Sequence, residues 1–213
     1  MFGLTSDVVL ARLIVVMLGI PIHEWSHCWV ASLLGDTTGE AEGRLSLNPF
    51  VHLDPLGTIL ILLTGFGWGK PAPVNPYRMH KVSNPRLGMA LSALAGPFSN
   101  FIQAIVLALI LRFVVAPMPS SSQVDWAIKI LIMAISVNIG LVAFNMIPVP
   151  PLDGSRVLAG VAPPNVADFI EQLEPIAPYL LMAVLFVLPQ LGIDLVSWMA
   201  APLYRILFSL LLW

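Results

Sequence analysis

The sequence predicts an all-α polytopic membrane protein with about four to six membrane helices, a short re-entrant segment and a β-hairpin-like loop. Three observations predict it. Of 213 residues, 58% are hydrophobic and only 10% are charged, against about 25% charged in soluble domains. The mean hydropathy is +0.89. The apolar residues also gather into runs of membrane length, since a hydrocarbon core about 30 Å thick needs ~20 residues of helix. The net charge of −2 brings no basic patch, which speaks against a nucleic-acid partner. The N-terminus shows neither the basic start nor the small-residue cleavage site of a signal peptide. The single cysteine, Cys28, permits no intrachain disulfide, so stability must come from helix packing.

The first span is expected over Val8–Leu34, ending at Gly35, a good helix stop. Residues 36–54, DTTGEAEGRLSLNPFVHLD, are polar and broken by Gly and Pro; they read as a loop near the surface. PLGTILILLTGFGWG (55–69) is apolar but too short to cross comfortably, which suits a re-entrant, half-buried segment. In GWGKPAPVNPYRM (67–79), Pro71, Pro73 and Pro76 exclude a helix interior. Extended or hairpin backbone fits there, covered by protein or lining a watered cavity. Trp68 reads as an interfacial anchor.

A second full span follows at 88–115, with AGPFSN near its start. A turn rich in Pro and Ser (116–125) leads to a third span at 126–146, which IPVPPLDGSR (147–156) breaks. Beyond it come a short helix, a turn and a partly amphipathic helix. The apolar tail 176–213 reads as two further helices interrupted by Pro178, Pro189, Gly192 and Pro202. Residues 1–160 are expected to form a membrane-embedded core, with the helices of 161–213 packed on it. The tail could also face a second copy in a homo-oligomer.

Charge gives an orientation. Arg44, Lys70, Arg78, Lys81 and Arg86 fall between the first span and the second, and Arg156 follows the third. If these loops share a side, the positive-inside rule makes it the cytosol. The first span then carries residues 23–27 in its cytosolic half.

Those residues, HEWSH, are the chemical signal. His23 and His27 lie one turn apart on one helix face. Both nitrogens can reach one Zn²⁺, and the ion acidifies a water and polarises a carbonyl. Glu24 sits about 100° around the helix from His23, placed to serve as general base on that water. A carboxylate near the bilayer centre costs about 2.5–3.5 kcal/mol on insertion scales. Three ionisable residues there therefore need a compensating partner, which a metal supplies. Pro21 removes a backbone bond just before His23 and is a candidate bend.

A catalytic zinc usually takes a third protein ligand. His52 and His80 lie in polar loops. Asp153 sits in NMIPVPPLDGSR, where Pro148, Pro150 and Pro151 deny regular helix bonding. It could be an ordinary N-cap of the next helix. Charge favours the ligand: Zn²⁺ with Asp153, Glu24 and two neutral imidazoles sums to zero, which suits a low-dielectric site.

These residues resemble the site-2 protease family of intramembrane zinc metalloproteases. The resemblance covers about residues 8–160 and rests on HEWSH (23–27), AGPFSN (95–100) and FNMIPVPPLDG (144–154), in family order. LNPFVHLDPLGT (47–58) and GWGKPAPVNP (67–76) resemble the bacterial and archaeal branch. The resemblance implies zinc held by His23, His27 and Asp153, with Glu24 as the base. It implies hydrolysis of peptide bonds in or near a transmembrane segment of another protein, a single-pass substrate or its membrane remnant. Asn145 matches a family asparagine near the active site, and its amide could bind a carbonyl or oxyanion. Its alternative is an interhelical contact.

The remaining polar residues read as structural. Gly96 lets helices approach, and Asn100 bridges them. His52 reads as a solvated surface histidine and Cys28 as a packed small residue. The extended segment 67–76 offers an edge to an unwound substrate by β-augmentation, although its prolines spoil part of that edge. Two rival functions stand beside the protease. A metal transporter would spread acidic and imidazole residues over several spans, whereas here they concentrate in two motifs. An inactive membrane scaffold would not need intact HEWSH and Asp153.

Overall fold

The structure, a computed structural model, describes residues 5–64 and 67–212. Helix α1 (Ser6–Ile14) continues through a π-helical turn (Val15–Gly19) into α2 (Ile20–Leu33), giving one helical run from Ser6 to Leu33. The widened turn ends with Ile20 N–H donating to the Val15 carbonyl, directly before Pro21. Proline cannot donate and its ring crowds the preceding turn, so the helix accommodates it by widening rather than by a sharp break. α2 stops at Leu34, and Gly35 follows with φ 108°. A Cβ there would also meet the His80 ring at 2.5 Å, so only glycine fits.

The expected surface loop contains a short helix, α3 (Thr38–Ala41), and a tight turn at Pro49–Val51 capped by Asn48. Asp54 accepts from Gly57 N–H at 2.8 Å and so caps α4 (Pro55–Thr64). Ten residues of helix span about 15 Å, half the hydrocarbon thickness. Residues 65 and 66, in the middle of the expected re-entrant and hairpin-like stretch, lie outside the described residues. Past them, Leu53 and Gly69 form an isolated antiparallel bridge. A Cβ on Gly57 would strike the Trp68 carbonyl, so the returning chain runs against the first turn of α4.

α5 (Pro85–Ile110) begins at an Asn84 cap with proline in its first turn and extends through a π turn to Val115. α6 (Ser122–Asn145) begins at a Ser121 cap. The proline-rich stretch then turns the chain into α7 (Asp153–Val161). Leu152, not Asp153, occupies the cap position, and the Asp153 carboxylate makes no capping bond. α8 (Pro164–Leu173) and α9 (Ala177–Met182) belong to one helical run, Pro164–Leu191. The first tail helix therefore starts earlier than the expected 176, because Glu174–Ile176 only tightens the chain into a 3₁₀ turn. Gly192, at φ 79°, ends that run, and α10 (Leu195–Leu212) closes the chain.

Among the described residues, five helices are long and apolar enough to cross a membrane, so the chain reads as an integral membrane protein. Small residues carry the packing. Ala90, Ala93, Gly96, Ala104 and Ala108 bury one flank of α5 and let α2, α6 and α7 approach closely. Ile135 and Ile139 of α6 fill the seam against Ala104 and Ala108, with α10 laid over it. An Asp7–Lys129 ion pair ties α1 to α6, and Arg12 donates to the Leu62 carbonyl at 2.8 Å.

α7 carries Asp153 and rests on α5. A Cβ on Gly160 would collide with Ala90 and lie 3.0 Å from the Arg86 carbonyl. Gly160→Leu should therefore force α7 off α5 and destabilise the protein by about 1–3 kcal/mol. Chemical unfolding in detergent, compared with wild type, reads this directly.

Candidate metal centre

His23 and His27 lie one turn apart on α2, and their ring centroids are 4.6 Å apart. α7 brings Asp153 to them from across the fold. Its Oδ2 is 3.2 Å from His23 Nε2 and 3.5 Å from His27 Nε2. All three side chains are buried, and each offers one ligand atom within 4.8 Å of the others.

The other ring nitrogens are engaged. His27 Nδ1 donates to the Ser92 carbonyl at 2.7 Å, and Ser92 Oγ donates to the His27 carbonyl at 3.0 Å. His23 Nδ1 meets Asn100 Oδ1 at 2.6 Å. Asn100 does reach from α5 to α2, as the sequence suggests, but its partner there is a histidine of the motif. A Cβ on Gly96 would run into both imidazoles, so AGPFSN supplies the space and a contact.

Asp153 Oδ2 is buried without a hydrogen bond. Two imidazole nitrogens and a carboxylate oxygen facing one point are unfavourable without a cation among them. This donor set fits Zn²⁺, which takes nitrogen and oxygen ligands and keeps a position open in catalytic sites.

Glu24 and Asn145 face the same cavity of about 470 Å³. Asn145 Nδ2 donates to the Leu141 carbonyl at 3.0 Å. Trp68 and Gly69 also line the cavity. A Cβ on Gly69 would lie 2.6 Å from Ile20 Cγ2, so the chain passes close against α2 only because this residue is glycine. Among the described residues, no hydrogen bond holds Glu24.

The relatives that match the chain carry the name "Putative zinc metalloprotease". YwhC of Bacillus subtilis (strain 168) is 40% identical over 181 residues, covering 83% of this chain and 80% of that protein. MJ0611 of Methanocaldococcus jannaschii is 32% identical over 151 residues, covering 71% and 70%. Rip2 of Mycolicibacterium smegmatis is 26% identical over 193 residues, covering 85% and 70%. This chain belongs to their family. No family model and no solved structure matches it. Membership agrees with a compact, site-2-protease-like architecture.

The structure corrects one reading. His52 is not a solvated surface histidine: it is fully buried, with Nε2 donating to the Ser46 carbonyl at 2.7 Å. Burial pushes its pKa down, so the ring is held neutral. Cys28 is packed, with Gly39 seated against its sulfur.

Sequence reasoning missed two buried charges in this family member. Arg44 Nη2 donates to the Lys70 carbonyl at 2.5 Å, and Lys70 N–H donates to the His52 carbonyl at 2.7 Å. Asp36 Oδ2 accepts from Asn75 N–H at 2.6 Å. Residues 70–75 are thus fastened at both ends, while Pro71, Ala72 and Val74 line the cavity. A loop's composition signals neither anchor. Ser92 did carry a signal, being a polar side chain within an apolar span.

Gly96→Ala should push the imidazoles apart and lower the zinc content of the purified protein roughly tenfold. Gly140→Ala, on α6 with nothing within 4 Å of its added carbon, should leave it unchanged. Elemental analysis of both variants checks the pair.

Proposed function

We propose that the chain is an intramembrane zinc endopeptidase that hydrolyses peptide bonds in or near transmembrane segments of other membrane proteins. The observation that carries the reading is the meeting of His23, His27 and Asp153 at a cavity that Glu24 also faces. His23 Nε2, His27 Nε2 and the Asp153 carboxylate would hold Zn²⁺. When bound, the ion supplies Lewis-acid chemistry, polarising a peptide carbonyl and lowering the pKa of a water towards about 7.

The chain's own groups do the rest. The Glu24 carboxylate takes a proton from the attacking water and returns it to the departing amide nitrogen. Asn145 stands on the cavity wall, where its amide hydrogen-bonds the substrate carbonyl and the oxyanion that develops there. The apolar walls exclude bulk water and strengthen each of these interactions. The fastened segment 70–75 holds the unwound substrate in extended form by β-augmentation. The prolines limit which positions pair.

The substrate class is a single-pass membrane protein or a membrane remnant of one. The bacterial relative supports a cell membrane, and the clustering of Arg and Lys in the loops supports a site in its cytosolic half. Residues 1–160 form the proteolytic core, with 161–213 packed on it and available to a second copy.

The test uses purified protein, a single-pass substrate in liposomes, and a zinc chelator. Cleavage should vanish with chelator and in Glu24→Gln, while Glu24→Gln keeps its zinc. Equal proteolysis by wild type and Glu24→Gln would overturn the mechanism. Replacing Lys70–Pro76 by a Gly/Ser linker should slow cleavage and blur its sites. Unchanged rate and sites would remove that segment from substrate binding.

A further inference from the structure

We infer that Asn100 and Asn138 form a buried amide relay that holds His23 in the one tautomer able to ligate a metal through Nε2. The inference rests on the metal-site reading of His23, His27 and Asp153.

The direction of every bond in the relay follows from its ends. Both ends are backbone carbonyls, which only accept. Asn138 lies 3.0 Å from the Ala134 carbonyl, so the amide atom there is its nitrogen. Its oxygen therefore faces Asn100 and accepts from Asn100 Nδ2 at 3.0 Å. Asn100 Nδ2 places its second proton on the Gly19 carbonyl at 3.1 Å. With both protons used, the Asn100 atom facing His23 is the oxygen, which can only accept. His23 Nδ1, 2.6 Å away, must carry the ring proton. Nε2 is then left with its lone pair, aimed at Asp153.

Flipping either amide would set oxygen against a backbone carbonyl. Asn100 and Asn138 are 0% and 2% exposed, so no water would relieve that contact. The relay spans three helices, since Gly19 closes the π turn before α2, Asn100 stands on α5 and Asn138 on α6. An interhelical bridge alone would need only the two amides. The additional bond to His23 turns the bridge into a positioning device for a ligand.

The two histidines are held differently. His27 is fixed directly by the Ser92 carbonyl, which no side-chain change removes. His23 depends on the two asparagines, so their substitution should loosen His23 alone.

The experiment uses the full chain in detergent, with zinc affinity measured by chelator competition and ring tautomers by ¹⁵N NMR of histidine-labelled protein. Asn100→Leu should weaken zinc binding roughly 10–100-fold. Asn138→Leu should weaken it less, because Asn100 keeps its bond to Gly19. In the double variant the second change should add nothing, whereas two independent packing defects would add. Apo wild type should keep a proton on His23 Nδ1, facing Asn100, and apo Asn100→Leu should move it to Nε2, beside Asp153. Wild-type affinity in folded Asn100→Leu would overturn the relay. If Asn100→Leu does not fold, wild-type zinc affinity in Asn138→Leu would overturn it instead. Wild-type affinity in His23→Ala would overturn the metal-site reading itself, whatever the asparagines do.

Discussion

Two imidazole nitrogens and a carboxylate oxygen converge on one point among apolar helices. Away from bulk water, every other polar atom near that point must find its partner within the protein. Much of the surrounding structure answers that demand. Gly96 removes a side chain so that α5 can lie against both rings. Ser92 presents a carbonyl to one ring, and Asn100 an amide oxygen to the other. α7 begins at Asp153 because the prolines before it stop α6 and turn the chain back. The carboxylate then enters the cluster instead of capping its own helix.

The same economy governs the cavity wall. An extended segment in a membrane protein has backbone groups that no helix satisfies. Here residues 70–75 are fastened by Arg44 at one end and Asp36 at the other, both fully buried. Charges buried at such sites are costly unless fully engaged. Asp36 meets that condition by accepting from Asn75 and also from Thr38 N–H and Oγ1 at 3.0 and 2.5 Å. Fastening at both ends sets the middle of the segment, Pro71, Ala72 and Val74, against the cavity.

How much of this could be read from sequence depends on where each partner lies. HEWSH was legible because both histidines and the glutamate belong to one helix whose period is fixed. Asp153 was legible because a carboxylate among three prolines at the end of an apolar span has few alternatives. The spans were legible from length and hydropathy, and α2 ends at Gly35 as expected. What escaped is pairing between distant segments. Nothing near Asp36 names Asn75 as its partner, and nothing near Arg44 names Lys70. His52 looked exposed because its neighbours are polar, yet the Ser46 carbonyl takes its proton and lets the ring be buried. The start of the tail helix was misplaced because Pro175 tightens the helix without ending it.

Pro21 shows how a local irregularity serves the site. Asp7, Ala11, Val15, Gly19, His23, His27 and Ala31 are all buried, at a strict spacing of four. In a regular α-helix each step of four overshoots a full turn by about 40°, so six steps would carry the stripe ~240° around the axis. The first and last members would then face different neighbours. The π turn at Val15–Gly19 accommodates one extra residue, which takes back about 100° of that drift. Between Asp7, which meets α6, and His23, which meets α5, the drift falls from about 160° to about 60°. Pro21 has no N–H to give the Met17 carbonyl and its ring crowds that carbonyl, which disfavours a regular turn here. The proline before the motif thus sets the rotation at which the motif's histidines emerge.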